Sequence, residues 1–244
     1  MAGESGFWRT VRETAILLVV AVVLAVAVKT FLAQAFYIPS ESMEPGLNVN
    51  DRILVEKPSY WFGGSPRRGD VVVFADPGDW LGADETAGPS GPITTALEKI
   101  GLYPSGNHLV KRVIGVGGDT VTCCDKDGRI QVNGTSLAED DFIDPQPRCD
   151  GPMVNDCDPQ GWSATVPKGY LFVMGDNRDE SADSSVHLCA ADDQGSGCDP
   201  LEAFIPVDSV VGKVVSVIWP PSHAKILNRP AVFKEVAAAT AASP

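Results

Sequence analysis

From Ala15 to Val28 every residue is apolar, AILLVVAVVLAVAV, and no second long apolar run follows anywhere in the chain. A run without polar interruption has no solvated face, so it is not the amphipathic surface helix of a globular domain. A bilayer core of ~30 Å needs about 20 helical residues, and Thr14 to Phe36 supplies that length, with Lys29 near one end where its stem can reach the headgroups. Tyr37 follows where an interfacial aromatic is useful. The expectation is a single-pass anchor over 14–36, with residues 1–13 held on the cytoplasmic side by Arg9 and Arg12. A cleavable export signal is the competing local reading, with Ala33-Gln34-Ala35 as its A-x-A site. Either way the remainder is expected outside the cytoplasm.

A length of 244 residues suits one domain plus that anchor. The formal net charge of -13 predicts a surface that repels nucleic acid and anionic lipid headgroups, so no nucleic-acid partner is expected. All six cysteines lie in the C-terminal half. An even number suits bridges in an oxidising compartment. Cys149–Cys157 and Cys189–Cys198 are the expected pairs, each closing a short polar loop; adjacent Cys123 and Cys124 stay open. No Cys-x-x-Cys occurs and the histidines lack metal-ligand spacing, so neither a metal nor a cofactor is implied.

After the anchor the pattern becomes β. Residues 52–57, 70–74, 108–114, 119–124, 170–174 and 210–219 are β-branched or apolar runs bounded by Gly, Pro or Asp. Asn133-Gly134 marks a hairpin turn. Many short strands with sparse helix predict a mainly β, mostly antiparallel domain over 37–230. Insertions are expected at about 75–107, with a short amphipathic helix over Thr94–Ile100, and at about 140–161 and 185–204. An Ala-rich tail over 231–244 ends the chain.

Three stretches carry candidate chemistry. Pro39-Ser40-Glu41-Ser42-Met43-Glu44-Pro45 sets two hydroxyls in a proline-bounded loop. A serine needs a base to become nucleophilic, yet no Gly-x-Ser-x-Gly elbow appears and the only histidines are His108, His187 and His223. A lysine can serve if burial strips its proton. At a reference pKa of ~10.4 roughly one lysine in 2,500 is neutral at pH 7, against near one in ten at a pKa of about 8. Shifts of ~3–5 units accompany full burial. Alternation along 108–114 places Leu109, Lys111 and Val113 on one strand face, which makes Lys111 the candidate. A strand lysine that snorkels to water fits the same pattern. Gly175-Asp176-Asn177-Arg178-Asp179-Glu180-Ser181-Ala182-Asp183-Ser184 is a dense polar cluster after an apolar strand, either a solvated turn or a loop that orients a catalytic group.

Taken in order, the anchor, Pro-Ser-x-Ser-Met-x-Pro, Gly-Asp-Val-Val-Val-Phe, Lys-Arg-Val-Ile-Gly, Gly-Asp-Thr-Val and Gly-Asp-Asn-Arg-Asp-x-Ser-x-Asp-Ser resemble the boxes of bacterial type I signal peptidases. The resemblance implies a transmembrane helix followed by a β-rich catalytic domain of two antiparallel sheets. It implies a serine endopeptidase that removes signal peptides from exported preproteins at the outer face of the membrane, cutting after small residues in the A-x-A manner. Ser42 would be the nucleophile and Lys111 the base, with an oxyanion hole from the Ser42 N–H and the Ser40 hydroxyl. Ser181 and Asp183, with Gly175 and Asp176 in the same box, would hold the lysine and its loop. Edge strands Phe36–Ser40 and His108–Lys111 would pair with the substrate, bringing Phe36, Ile38, Pro39, Leu109 and Val110 to it. The family's usual Asp-Ser-Arg is Asp183-Ser184-Ser185 here, so another group, Arg178 or Lys213, is expected to brace Asp183. His108 lies off the Lys111 face and is expected to be structural or exposed. Ala33-Gln34-Ala35 becomes a candidate self-cleavage site. A non-catalytic, disulfide-braced binding domain and a self-cleaving Ser–Lys peptidase are the two alternatives.

Overall fold

The structure is a computed structural model that describes residues 3–78, 80, 108–143, 161–189 and 198–236. The expected helix over Thr94–Ile100 and the expected Cys149–Cys157 bridge lie outside the described residues.

Helix α1 spans Gly3–Ala27 and continues as one wider turn over Val28–Leu32. Over Gly6–Leu32 it is long and apolar enough to cross a membrane, and none of its apolar window is buried against the protein. A helix that is apolar all round and unpacked has lipid as its fitting solvent. The helix differs from the expected 14–36 at both ends. It starts well before Thr14, and the chain leaves it at Leu32, because Ala33–Tyr37 pairs residue by residue with Arg52–Glu56. A sheet partner distant in sequence outweighs the helical character of the apolar run that precedes it.

The strands, in chain order, are β1 (Ala33–Tyr37), β2 (Arg52–Glu56), β3 (Val71–Ala75), β4 (His108–Val116), β5 (Thr120–Cys123) and β6 (Gln131–Val132). Then come β7 (Thr135–Ser136), β8 (Trp162–Thr165), β9 (Tyr170–Met174), β10 (Ile205–Pro206), β11 (Val210–Trp219) and β12 (Lys225–Ile226). They form two antiparallel sheets, as the resemblance implies. The larger runs β1-β2-β11-β3-β4-β9-β10, with β12 beside β11, and the smaller runs β7-β6-β5-β8.

Strand β3 shows how the large sheet is built. Val71 to Phe74 are all buried: Val71 and Val73 join one apolar cluster with Phe36, Ile38 and Ile53, while Val72 and Phe74 join another with Val113, Leu171 and Val173. The two-residue period thus fills a core on each side of one strand. The sheet curls enough that the Phe36 ring on β1 lies 5.4 Å from the His108 ring on β4. In the small sheet, Asn133 and Gly134 take φ of 51° and 77°, the double left-handed turn that a two-residue hairpin requires.

Val232, Phe233 and Val236 sit on a helical turn over 232–236 and enter the core with Ile114, Phe172 and Phe204. The packed domain therefore runs past residue 230, where a tail was expected. Cys189 and Cys198 are bridged as expected, and Cys123 is bridged to its neighbour Cys124.

Candidate active site

Ser42 lies in the turn between β1 and β2. Met43 and Leu47 are buried in the cluster around Phe36 and Ile53, and the Leu47 N–H donates to the Met43 carbonyl at 2.8 Å, so apolar packing pins this turn from beneath. Ser42 itself is only 9% exposed, and its Oγ is 3.3 Å from the half-buried Ser40 Oγ. The Ser42 carbonyl accepts from the Asn177 N–H at 3.1 Å.

Lys111 sits on β4 opposite Val72, on the strand face shared by Leu109 and Val113, and is 2% exposed. It does not snorkel. Its Nζ donates to Ser181 Oγ at 2.9 Å, and the Ser181 hydroxyl donates to Asp183 Oδ2 at 2.7 Å. Gly175 N–H donates to the same carboxylate oxygen at 2.9 Å. The other oxygen, Oδ1, accepts from the Ser185 N–H at 3.0 Å and its hydroxyl at 2.7 Å. The direction of this chain is fixed: Ser181 spends its only proton on Asp183, so it can only accept from the lysine.

Gly175 ties this chain to the serine turn. A Cβ on it would lie 2.4 Å from both Ser181 Oγ and the Ser42 carbonyl oxygen. Only a residue without a side chain lets the serine turn, the lysine's partner and the end of β9 meet here. Asp176, expected beside the dyad, instead receives Arg112 Nε and Nη2, each at 2.6 Å, and its Oδ2 lies against Gly46 at the end of the serine turn. The Arg112 guanidinium also donates to the Gly69 carbonyl at 3.0 Å and lies over the Phe142 ring. Paired and fully hydrogen-bonded, this ion pair satisfies the condition for burying charge.

The brace on Asp183 is not the one expected. Arg178 donates to the Gly175 carbonyl at 2.8 Å and to Glu139 at 2.5 Å, which links the site to the small sheet. Lys213 pairs with Asp70. Ser185, where the resemblance led to an expected Arg, itself satisfies Asp183. His187 adds a contact from Nδ1 to the Asp183 carbonyl at 2.8 Å and stacks on Trp80 at 4.3 Å between ring centroids. Ser185 was legible as a short hydroxyl two residues after an aspartate, a spacing that favours local bonding. Nothing in the pattern around His187 pointed to Trp80.

Among the expected substrate contacts, Phe36 and Ile38 are buried in the core, Pro39 is exposed, and Leu109 and Val110 are half-buried. The backbone around them is more informative. Strand β1 ends the large sheet, and β4 pairs with β3 along His108–Arg112 and with β9 from Arg112 onward. The Phe36 and His108 rings lie 5.4 Å apart, so the start of β4 comes beside the end of β1 that leads into the Ser42 turn. Ala33-Gln34-Ala35 lies within β1, paired with Glu56, Val55 and Leu54. A separate cleft of about 690 Å³, lined by Arg67, Arg68, Lys168 and Arg229, opens at the Val116 end of β4, away from Lys111. Among the described residues no group of three or more His, Cys, Asp or Glu is gathered as a metal site.

The model of the family Signal peptidase, peptidase S26, matches residues 11–219. The chain belongs to that family. Signal peptidase I of Mycobacterium tuberculosis (strain ATCC 25618 / H37Rv) is 44% identical over 228 residues, covering 88% of this chain and 74% of the relative. Signal peptidase I of Leptolyngbya laminosa is 36% identical over 210 residues, covering 86% of this chain and 80% of the relative. A crystal structure of a signal peptidase I from Enterococcus faecalis V583 matches at a TM-score of 0.30 and 22% identity, over 61% of this chain and 95% of that one. Membership of the S26 signal peptidases makes the chain a peptide-bond hydrolase, and its apolar helix accords with a membrane-associated one.

Proposed function

We propose that this signal peptidase removes signal peptides at the outer face of the membrane with Ser42 as nucleophile and Lys111 as general base. The observation that carries the reading is the buried Lys111 Nζ, held by Ser181 and set against the Ser42 turn through the bare Gly175. A base must be uncharged to take a proton, and removal from water acts against an ammonium. One N–H of the amine is taken up by Ser181; in the neutral form its lone pair takes the serine proton.

Ser42 Oγ attacks the scissile carbonyl while Lys111 takes its proton, then delivers it to the leaving amine. Water then attacks the acyl carbon and gives a proton to Lys111, which passes it to Ser42 Oγ as the acyl–serine bond breaks and the acid product leaves. The Ser42 N–H and the Ser40 hydroxyl face the developing oxyanion, where one such donor contributes ~10²–10³ in rate. A substrate strand pairing with the β1 and β4 edges presents every second side chain to the same wall. That geometry supports a preference for small residues at the first and third positions before the bond. Anchoring by α1, with the N-terminus cytoplasmic, keeps the site beside precursors still held in the bilayer.

The test is cleavage of a preprotein in detergent or lipid by Ser42→Ala and Lys111→Ala, each checked for folding by circular dichroism. Both are expected to abolish cleavage. Substantial turnover by folded Lys111→Ala refutes the dyad. Protease protection of the domain in sealed inside-out vesicles tests the orientation; digestion there would reverse it.

A further inference from the structure

Asp183 is held at both ends, and one of its partners lies outside the polar box around the lysine. The carboxylate is filled by Ser181, Gly175 and Ser185. The backbone carbonyl accepts from the Val186 N–H at 3.1 Å and meets His187 Nδ1 at 2.8 Å. A carbonyl oxygen can only accept, so Nδ1 carries the proton and donates it. The Val186 bond belongs to the turn itself. The His187 bond comes from a side chain whose place is set elsewhere.

That place is set by Trp80. The half-buried His187 ring lies 4.3 Å from the Trp80 ring with 7° between their planes, a parallel stack. Trp80 is itself fixed: it is 4% exposed, meets Phe74 edge to face at 6.2 Å, and donates its indole N–H to the Glu202 carbonyl at 3.0 Å. Phe74 stands on β3 opposite Leu109, two residues before Lys111. The imidazole is thus a wedge between the core beneath the lysine strand and the loop that presents Ser181. Cys189, two residues further on, is bridged to Cys198, which tethers the backbone on the far side of the wedge. A turn of the Asp183 peptide would carry its carboxylate with it, and Ser181, which gives its proton to that carboxylate, would follow. Ser184 limits the movement, since its N–H donates to the Val173 carbonyl at 3.1 Å and its hydroxyl accepts from the Val173 N–H at 2.9 Å. Losing His187 therefore displaces the lysine's partner by less than the ~1 Å that costs about 10²-fold in rate.

We propose that His187 is a positioning residue of this peptidase: stacked on Trp80, it fixes the Asp183 peptide and, through Ser181, the direction of the Lys111 amine. It touches neither substrate nor the reacting atoms, so its contribution lies in the rate of the chemical step and not in binding. The inference rests on Lys111 being the general base.

The test compares the full chain in detergent as wild type, His187→Leu, His187→Asn and His187→Gln, cleaving a fluorogenic Ala-x-Ala peptide, with thermal melting to report folding. Leu keeps an apolar contact with Trp80 and offers no donor. Asn places an amide N–H where Nδ1 stands, and Gln carries it one atom further out. The kcat of His187→Leu is expected to fall about tenfold with KM within about twofold, and Asn to recover most of that loss while Gln does not. Wild-type kcat in a folded His187→Leu protein overturns the proposal. Should the Leu variant fail to fold, equal kcat in the Asn and Gln variants overturns it instead. Lys111→Ala, measured alongside, separates the two readings. If it is inactive while His187→Leu keeps wild-type kcat, the positioning role alone is lost; substantial turnover by folded Lys111→Ala removes the dyad and this role with it.

Discussion

Gly175→Ala puts one methyl group at the junction of the site. Its backbone φ lies outside the left-handed range, so alanine is tolerated there and the effect is steric. The new Cβ meets Ser181 Oγ and the Ser42 carbonyl oxygen, each at 2.4 Å, and Ser181 Cβ at 2.5 Å. Contacts that short force a movement. Either Ser181 turns off Lys111, or the Ser42 turn retreats and stretches its bond from Asn177. A displacement of ~1 Å at reacting groups costs about 10²-fold in rate. We expect kcat to fall by that amount, equivalent to about 2.7 kcal/mol, with KM little changed. Overpacking of this kind costs ~1–3 kcal/mol of stability, so the domain should stay folded with a lowered Tm. The assay is steady-state cleavage of a fluorogenic Ala-x-Ala peptide in detergent, paired with thermal melting. Adding Ser181→Gly removes one clash and should restore part of the Tm without restoring kcat, a non-additive result expected of touching residues. A folded Gly175→Ala protein with wild-type kcat refutes the claim that this spacing sets the geometry of Ser42 and Lys111.

Other outcomes follow from neighbouring contacts. Ser181→Ala should lower kcat and leave KM nearly intact, since the hydroxyl touches the lysine and not the substrate; an unchanged kcat would dismiss its positioning role. Ser185→Ala removes one of the two donors to Asp183 Oδ1 while its N–H remains, so urea unfolding should show a loss of about 1 kcal/mol. Hydrogen bonds from Arg68, the Val116 N–H and Asn133 outweigh burial and hold the Asp119 carboxyl below its ordinary 3.8. A depressed carboxyl stabilises the fold above its unfolded pKa and loses that contribution as pH falls through the folded value. The stability gap between wild type and Asp119→Asn should therefore be flat above about pH 5 and close below about pH 4; a gap that persists at lower pH contradicts this. Replacing Cys189 and Cys198 by serine opens a short loop and should cost about 3 kcal/mol by loop-closure entropy, read as a shift in the urea midpoint.

Where local pattern and tertiary packing agree, the sequence was a sufficient guide. The alternation of Leu109, Lys111 and Val113 holds in β4, the Asn133-Gly134 turn forms, and β9 occupies Tyr170–Met174 as the apolar run predicts. The failures share a cause, which is partners distant in the chain. Ala33–Tyr37 reads as the end of an apolar helix until Arg52–Glu56 is available to pair with it. Strand β8 has a weak pattern of its own and is held by its register with β5. Phe233 looks like part of an Ala-rich tail, yet its ring lies 5.9 Å from that of Phe142. Ionic partners are equally illegible. Nothing local assigns Arg112 to Asp176, Arg178 to Glu139 or Lys213 to Asp70.

The join between α1 and β1 has no slack. Leu32 ends the helix, Ala33 is already paired with Glu56, and Ile38 exchanges backbone hydrogen bonds with the stretch before β2 just ahead of the serine turn. The chain between the apolar helix and the Ser42 turn thus works as a ruler and not as a tether. One inserted residue in β1 would lengthen it by ~3.3 Å and turn every following side chain to the opposite face. A flexible stalk would absorb such a change; this connection would transmit it to the height and facing of Ser42.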